Sequence, residues 1–441
     1  MTDFENNLKK EVMERFRAEA EHGDAEAQSI LGKMYCNGDG VAQNYEEAVR
    51  WFRKAADQGD ADAQFSLGKM YYNGEGVEQS YKEALKYVHK AAEQGCTDAQ
   101  NALANMYYVG AGIDKDNMEA ALWYFAAAEQ GDADAQNTLG LLYHSGEVLD
   151  QNFSEAMQWF RKAADQGNAD AQYNLGKMYF AGESVERNPA EAMKLFIAAA
   201  EQGCVEAQAM LGALYAAGDV VAQNTTEAAK WYRKAAEQGD ADAQLMLGYM
   251  YYLGRGVEED YIEAAKWYRK AADQGDADAQ CHLGKMYYAG CGIEQNYIEQ
   301  NYIEAAKWCR KAADQGDADA QLMLGLMYAS GEGVEENYID SLIWLSKSAE
   351  QDNKDAQCLV GLHYFDEQNY EEALKWLKKA AEQGQAEAQK NIGDMYFEGI
   401  GIERNLIEAA KWYQKAAEHG NIDAQCSLDE LQNNINKLDE L

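Results

Sequence analysis

A unit of 36 residues recurs along this chain of 441 residues, and no other feature restricts its fold as strongly. Tetrapeptides of the form A-x-A-Q, with a few first-position substitutions, mark where each unit starts: Ala25, Ala61, Thr97, Ala133, Ala169, Val205, Ala241, Ala277, Ala318, Lys354, Ala386 and Ile422. The steps are 36 residues seven times, then 41, 36, 32 and 36. A tandem pattern of this period predicts one stacked array instead of several unrelated compact domains.

This register divides the chain into a leading half repeat, eleven full repeats and a trailing half repeat. The full repeats are 25–60, 61–96, 97–132, 133–168, 169–204, 205–240, 241–276, 277–317, 318–353, 354–385 and 386–421. We expect 1–24 and 422–441 to be capping helices, because polar residues replace the packing residues of the full repeats there. Arg15 stands where the full repeats carry tryptophan, and Asp429 stands where they carry a recurrent glycine.

Each repeat reads as two helices, and the chain as an all-α protein. Counting from the first residue of a repeat, small or apolar residues at positions 3, 7, 8 and 11 give the first helix one buried face. Glycine at position 8 in ten of eleven repeats predicts a close helix–helix approach, and glycines at positions 14 and 16 predict the turn. Asn, Ser or Asp followed three residues later by an acid, as in Asn44 and Glu47, has the spacing of a capping box and starts the second helix.

These motifs resemble the Sel1-like repeat family, whose members are related to tetratricopeptide repeat proteins. The resemblance rests on A-x-A-Q, L-G-x-x-Y, G-x-G-V, E-A-x-x-W and A-A-x-x-G, as in "ADAQFSLGKMYYNGEGVEQSYKEALKYVHKAAEQG", and covers nearly the whole chain. It implies a right-handed α-solenoid of helix-turn-helix repeats. It also implies a non-enzymatic scaffold or adaptor that binds partner proteins or peptides on its concave face.

The charge and the hydrophobicity of the chain argue against nucleic-acid binding, a membrane span and a secretory signal. The formal net charge of −37 argues against nucleic acid, which such a surface repels. The longest apolar run, Ala120 to Ala128, is half the length needed to span a bilayer, and residues 1–22 lack the apolar core of a secretory signal. We therefore expect a cytoplasmic protein; delivery into a host as a bacterial effector or virulence-associated adaptor remains an alternative.

Residues for catalysis or metal binding are not grouped in any recognisable motif. The six histidines are scattered over five repeat positions, and neither H-E-x-x-H nor C-x-x-C occurs, so we predict no catalytic, cofactor or metal site. Some cysteine-rich members of the resembled family are catalogued as β-lactamases, and Ser66 to Lys69 matches S-x-x-K, which keeps a hydrolase as an alternative. The eight cysteines show no regular pairing, and we expect reduced thiols.

The resemblance places positions 5, 9, 12 and 13 of the first helices on the partner-binding surface, and these positions differ most between repeats. The candidate residues are Phe65, Lys69, Tyr72, Asn101, Asn105, Tyr108, His144, Tyr173, Lys177, Phe180, Tyr249, Tyr252, Lys285 and Tyr288. Their aromatic rings, with interspersed Asn and Lys, suit an extended peptide held by stacking and hydrogen bonds. The alternative is structural: the aromatics pack between helices, and the position-9 lysines pair with acids at position 2.

Three segments depart from the regular pattern. In the eighth repeat "QNYIE" is doubled, so the second helix either starts five residues early or loops out its first copy. The tenth repeat, 354–385, lacks the glycine turn and is four residues short, so we expect local distortion there. Leu428, Leu431, Ile435, Leu438 and Leu441 form a helical stripe that either folds onto the last repeat or mediates self-association through 428–441.

Overall fold

The computed structural model describes residues 13–292 and 298–439, with the backbone alone at 298–300 and 432–439. Within those ranges the chain consists of α-helices and connecting turns without any strand, which confirms the all-α prediction. It divides into two compact units, Met1–Leu211 and Gly212–Leu441. None of the described helices combines the length and the apolar character needed to cross a membrane.

The helices follow the predicted order of two per repeat. The first unit contains α1 (13–21), α2 (Ala25–Asn37), α3 (Tyr45–Asp57), α4 (Ala61–Asn73), α5 (Tyr81–Glu93), α6 (Thr97–Val109), α7 (Asn117–Glu129), α8 (Ala133–Ser145), α9 (Phe153–Asp165), α10 (Ala169–Ala181), α11 (Pro189–Glu201) and the start of α12 (Val205–Ala217). The second contains α13 (Thr225–Glu237), α14 (Ala241–Leu253), α15 (Tyr261–Asp273), α16 (Ala277–Ala289), α17 (Ile298–Asp314), α18 (Ala318–Ser330), α19 (Tyr338–Glu350), α20 (Lys354–Asp366), α21 (Tyr370–Glu382), α22 (Ala386–Glu398), α23 (Leu406–Glu418) and α24 (Ile422–Asp439).

The first helix of a repeat is capped at both ends by its own sequence. In α4 the Asp60 carboxylate accepts the backbone N–H of Ala63 at 2.7 Å, which satisfies one of the free amides of the first turn. At the other end Gly74 adopts a left-handed φ of 77° and donates its N–H to the carbonyl of Met70. Glycine at position 14 therefore ends the helix and begins the turn, as predicted.

The second helix starts with the predicted cap residue but without the full capping box. The Asn44 side chain accepts the N–H of Glu47 at 3.1 Å. The Asn44 N–H, however, donates to the carbonyl of Tyr35 on the preceding helix at 2.9 Å, so it is unavailable to the glutamate. Glu47 instead pairs with Arg50 at 2.6 Å. The recurrent acid thus stabilises the first turn and pairs with a base one turn on.

Glycine at position 8 allows the two helices of a repeat to touch. A Cβ atom added to Gly140 would lie 2.6 Å from Cε1 of Phe160, which is itself buried. Gly68 is equally constrained, since its Cβ would lie 2.6 Å from Cγ2 of Val88. The predicted close approach is confirmed, and it lies between the helices of the same repeat.

Glutamine at position 4 ties successive repeats together, a role the sequence did not predict. Gln64 is buried, its Nε2 donates to the carbonyl of Ala56 in the preceding repeat at 3.2 Å, and its Oε1 accepts from Nε2 of Gln94 at 2.8 Å. The same arrangement recurs at Gln28, Gln100, Gln136, Gln172, Gln244, Gln280, Gln321, Gln357 and Gln389, with His419 contacting the last. Each of these joints therefore contains a buried or half-buried amide that is hydrogen-bonded at both ends, whereas Gln425 at the last joint is exposed and donates to Asp429.

The two irregular repeats keep their helices and change their connections. In the eighth, α17 is 17 residues long where other second helices have 13, so Ile298 to Asn301 extend the helix instead of looping out. Residues 293–297, with most of the first copy of the doubled stretch, lie outside the described residues. In the tenth, α20 and α21 retain 13 residues each, and Gln368 takes a left-handed φ of 62° in the shortened loop.

The ends of the array are covered by half repeats. Gln28 donates to the carbonyl of Ala20 at 2.9 Å, so α1 joins the first full repeat through the same glutamine contact used elsewhere. At the other end, Leu428 packs against the buried Tyr413 cluster of the last repeat, and Leu431 is buried. The side chains of 432–441, which carry the rest of the leucine stripe, lie outside the described residues, so self-association through 428–441 stays a prediction.

Candidate partner-binding surface on the first helices

The exposed side of the first helices, formed by positions 5, 9 and 12, is called the first-helix face below. Its position-12 aromatics pair with rings at position 21, the first residue of the second helix. Tyr72 meets Tyr81 edge-on with ring centroids 5.0 Å apart, and Tyr252 meets Tyr261 in the same way at 5.3 Å. All four rings remain more than a third exposed. The aromatics thus pack within their own repeat while presenting ring surface to solvent.

Neighbouring side chains fix the orientation of these pairs. Nε2 of Gln79 donates both to the backbone carbonyl of Tyr72 at 2.8 Å and to the hydroxyl of Tyr81 at 3.2 Å. Tyr108 lacks an aromatic partner at position 21, and Nζ of Lys115 lies 5.0 Å from its ring centroid instead. The exposed rings are therefore held in place before any ligand arrives, which lowers the entropy cost of binding.

Phe65 and Lys69 share one cleft of about 260 Å³, whose other lining residues include Lys33, Cys36 and Phe52. Lys33 is neutralised by Asp62 at 2.8 Å, whereas Lys69 has no ion-pair partner among the described residues. Burial raises the pKa of the Cys36 thiol, which keeps it protonated at neutral pH. The cleft offers an apolar floor with the ammonium group of Lys69 and the carboxylate of Glu75 in its lining.

Asn101 and Asn105 are used mainly within the protein. Nδ2 of Asn101 donates at 3.2 Å to Asp132, the last residue of the same repeat, which caps the N-terminus of α8. Oδ1 of Asn105 accepts the hydroxyl of Tyr124 at 2.8 Å, and its Nδ2 donates to the carbonyl of Asn101 at 3.1 Å. Burial raises the pKa of Tyr124 to about 12, so this hydroxyl stays a donor. For these two residues the structure favours the structural alternative.

The fourth and fifth repeats carry two further groups of candidate residues. His144 contacts Glu183 at 2.8 Å and packs edge-on against Phe153 with centroids 5.2 Å apart. Tyr173 and Phe180 both pack on the buried ring of Phe196, at 5.8 and 6.4 Å.

A basic group lies over each of those two rings. Nζ of Lys177 lies 4.7 Å from the ring centroid of Tyr173, and the Arg187 guanidinium lies 5.4 Å from that of Phe180. Tyr173, Lys177 and Phe180 therefore form one cluster. They combine aromatic and basic character on a single helix, α10.

In the second unit Lys285 and Tyr288 are paired with acids of the next repeat. Nζ of Lys285 contacts Asp319 at 2.7 Å; burial alone would lower its pKa, but the bond to Asp319 and nearby acids raise it. The hydroxyl of Tyr288 donates to Glu332 at 2.7 Å, and that bond, with burial, raises its pKa to about 12. The predicted pairing of position-9 lysines with position-2 acids is present at Lys33 and Lys285.

His282 lies behind Tyr249 on the same face. Its ring stacks on that of Tyr268 with centroids 5.1 Å apart and lies 6.2 Å from the ring of Tyr249. Burial lowers the pKa of His282, opposed by Asp278, Asp317 and Asp319, so the imidazole is neutral at neutral pH. It acts as a packing ring under Tyr249.

The sequence missed the position-21 aromatics as part of this surface. Seven repeats carry Tyr or Phe there, at Tyr45, Tyr81, Phe153, Tyr261, Tyr302, Tyr338 and Tyr370, and this recurrence was the available signal. The role of these aromatics was not predicted because positions 12 and 21 lie on different helices, which the turn brings together. The structure does not bring all predicted residues into one cluster; it distributes them as separate groups, repeat by repeat.

Groups for catalysis are not assembled among the described residues. No set of three His, Cys, Asp or Glu side chains is placed there to hold a metal ion. Ser66 and Lys69 lie one turn apart on α4, and within the described chain Ser66 Oγ makes no hydrogen bond that would activate it as a nucleophile. All eight cysteines are free thiols.

The repeat geometry agrees with the comparison to known protein families. A family model described as Sel1 repeat matches residues 25–60, 61–96, 97–132, 133–168, 169–204, 205–240, 241–276, 277–317, 318–353, 354–385 and 386–421. The chain belongs to the Sel1 repeat family. The resemblance predicted from the sequence motifs is confirmed, and so is the helical solenoid as fold class.

Two solved structures are similar to this Sel1 repeat protein. A protective antigen present in uropathogenic Escherichia coli strains, which displays an SLR fold, is 35% identical with a TM-score of 0.82 over 96% of this chain and 90% of that one. A Sel1 repeat protein from Oxalobacter formigenes is 32% identical with a TM-score of 0.56 over 73% of this chain and 94% of that one. No curated protein matches the chain.

Proposed function

We propose that this Sel1 repeat protein is a non-enzymatic scaffold that binds a partner protein through an extended peptide on the first-helix face. The single observation that carries the proposal is the set of exposed, pre-oriented aromatic side chains that recurs at position 12. Tyr72 and Tyr108 are 38% and 43% exposed although each is fixed by a neighbour. Exposed aromatics held on a rigid frame are typical of binding hot spots.

An extended peptide fits the spacing of such a surface. Packed helices lie about 10 Å apart, and an extended chain advances about 3.3 Å per residue, so about three residues would span one repeat. Every third side chain of the ligand would then meet an aromatic at position 12, with the cleft at Phe65 and Lys69 accepting a side chain that is apolar or acidic. The variation at positions 5, 9 and 12 gives each repeat its own preference.

The thiols support a reducing compartment, and we propose the cytoplasm. Cys204, Cys281, Cys309 and Cys358 are buried, and burial raises the pKa of each. Buried protonated thiols behave as small apolar groups and need no disulfide partner.

The proposal is tested by capture of binding partners with the purified full chain as bait, followed by mass spectrometry. The variant Tyr72→Ala/Tyr108→Ala removes two exposed rings from the first-helix face of the first unit. Tyr338→Ala is the matched control, because Tyr338 is 69% exposed at position 21 of the ninth repeat, where position 12 is alanine and no aromatic pair forms.

We expect a partner that the wild type and the control recover equally and the double variant recovers at least tenfold less. Circular dichroism and thermal unfolding establish that the variant is folded. Equal recovery with all three proteins would remove the first-helix face as the binding site.

A further inference from the structure

The second helix of the third repeat carries an exposed apolar stripe. Met118, Leu122 and Phe125 lie on α7 at the spacing i, i+4 and i+7, which places them on one side of the helix. They are 52%, 58% and 44% exposed, whereas the core beneath is formed by the opposite side of α7, including Ala120, Ala121 and Tyr124. The stripe lies on a second helix and is separate from the first-helix face.

The positions of Leu122 and Phe125 are mostly basic in the other repeats. Position 26 holds Arg or Lys in eight of the eleven repeats. In each of those eight it forms an ion pair with the acid three residues earlier, as in Glu83–Lys86, Glu263–Lys266 and Glu408–Lys411. Leu122 replaces that base in the third repeat, and Phe125 stands at position 29, which is Arg in five repeats. A local charged surface has been exchanged for an apolar one.

The exchange also leaves two carboxylates without a basic partner. Glu119 lies on α7 between Met118 and Leu122 in sequence, and Glu155 is its equivalent on α9, where Gln158 replaces the usual base. Neither carboxylate takes part in an ion pair among the described residues. The two helices adjoin at this face, because Phe125 packs edge-on against Trp159 at 6.0 Å and Lys162 contacts Glu129 at 3.9 Å.

We propose that this face of α7 and α9 is a docking site for an amphipathic helix of a partner protein, with apolar residues on one side and Lys or Arg beside them. Apolar residues of that helix cover Met118, Leu122 and Phe125. Its basic residues replace the missing intramolecular bases and pair with Glu119 and Glu155. Charge complementarity selects this occupant: the site is apolar in the middle and acidic at its edge, on a chain whose formal net charge is −37.

The same charge argues against two other occupants. A second copy of this chain would bring an equal excess of negative charge to the interface. A bilayer with anionic lipids would be repelled by the unpaired acids, whereas membrane-binding helices are typically basic. A basic amphipathic helix complements both the exposed apolar residues and the two carboxylates of this face.

The test uses a synthetic amphipathic peptide of about 18 residues, with leucines on one face and lysines on the other, labelled for fluorescence anisotropy. The informative variant is Leu122→Lys/Phe125→Arg, which restores the residues that other repeats carry and gives Glu119 a base three residues on. It should therefore fold at least as well as the wild type. Ile262→Lys/Ile407→Lys is the matched control, with the same added charge at two exposed isoleucines on other second helices.

We expect the variant to bind the peptide at least tenfold more weakly than the wild type and the control, and wild-type binding to weaken as salt rises. A peptide with glutamate in place of lysine should bind at least tenfold more weakly to the wild type. Equal affinity of variant and wild type for the lysine peptide would overturn the proposal.

The two rejected occupants are tested in the same series. Sedimentation velocity that shows a wild-type dimer and a monomeric Leu122→Lys/Phe125→Arg variant would assign the surface to a second copy and overturn the proposal. Binding of the wild type, but not the variant, to phosphatidylcholine vesicles would assign it to lipid, with the same consequence. Because Tyr72→Ala/Tyr108→Ala leaves this face intact, failure here is distinguishable from failure of the first-helix face.

Discussion

Gln64 and Tyr72 lie about two turns apart on α4, one in the joint between two repeats and the other on the first-helix face. Gln64 is 4% exposed, and both ends of its amide are hydrogen-bonded; Tyr72 is 38% exposed and meets the ring of Tyr81 edge-on. Position 4 is glutamine in all twelve copies, whereas position 12 is Cys, Tyr, His, Phe or Ala. The same helix therefore carries one position whose residue is the same in every repeat and one whose residue varies.

That difference separates what holds the array together from what it presents to a partner. A buried amide has to find both of its partners, because an unsatisfied one costs about 1–3 kcal/mol. An exposed ring can be replaced without that cost. Sequence variation between repeats is therefore concentrated at exposed positions that do not hold the repeats together. A binding surface made of such positions can change without loss of the fold.

The largest effect on stability is expected from adding a side chain at the close contact between the two helices of a repeat. Gly140→Val places a branched side chain where a single Cβ would already lie 2.6 Å from Cε1 of the buried Phe160. We expect a loss of about 3 kcal/mol in the free energy of unfolding, measured by urea denaturation. Ala104→Gly, at the same position of the third repeat, should change stability by at most about 1 kcal/mol. A loss below about 1 kcal/mol for Gly140→Val would contradict the account of this contact.

A smaller loss is expected when a joint loses its amide. Gln64→Ala removes two hydrogen bonds, one to the carbonyl of Ala56, which keeps the N–H of Gly59, and one from Nε2 of Gln94, and should lower the free energy of unfolding by about 1–3 kcal/mol. The exposed Gln79→Ala, measured beside it in the same denaturation series, should cost less than about 1 kcal/mol. Equal losses for Gln64→Ala and Gln79→Ala would show that the buried amide between repeats contributes no more to stability than an exposed one.

The half-buried His282 should make part of the stability depend on pH. Its pKa is lowered in the folded state, so as pH falls through about 6.5 the unfolded chain takes up a proton that the folded chain does not. The free energy of unfolding should therefore fall with pH in that range, more for the wild type than for His282→Gln. Thermal unfolding of both proteins between about pH 7.5 and 5.5 measures the difference. Parallel profiles would contradict a lowered pKa of His282 in the folded state.

The smallest change in stability is expected on the first-helix face. Tyr72→Ala removes one edge-on aromatic contact at an exposed site and should cost about 0.5 kcal/mol. Its thermal unfolding should be nearly that of the wild type. A loss above about 2 kcal/mol would show that Tyr72 contributes substantially to the stability of the fold. The alternative that the position-12 aromatics serve to pack helices together would then hold for this repeat.

Much of the fold was predictable because repetition reveals which positions are constrained. The helix pairs, the glycine that ends each first helix and the close contact at position 8 all follow from the recurrence of single residue types. The capping box was only half right, since the N–H of Asn44 bonds to Tyr35 on another helix. The eighth repeat could not be decided either, because both copies of the doubled stretch supply a residue that can cap the second helix.

The missed features all depend on contacts between segments. Gln64 marked the register in the sequence, but its two partners belong to different helices. The pairing of Tyr72 with Tyr81 appears only when the turn brings the two helices together. The apolar run that contains Leu122 and Phe125 was too short for a membrane span, and only the structure separates its buried side from its exposed one.

Site-specific photocrosslinking tests the central claim most directly. A photoreactive phenylalanine analogue is placed at Tyr72, Tyr108 or Phe180 on the first-helix face and, as control, at Tyr338, and crosslinked partners are identified by mass spectrometry. The account predicts that the three first-helix positions capture the same partner protein and that Tyr338 does not. Crosslinking of the partner from Tyr338 alone, or equally from all four positions, would contradict a binding surface on the first helices.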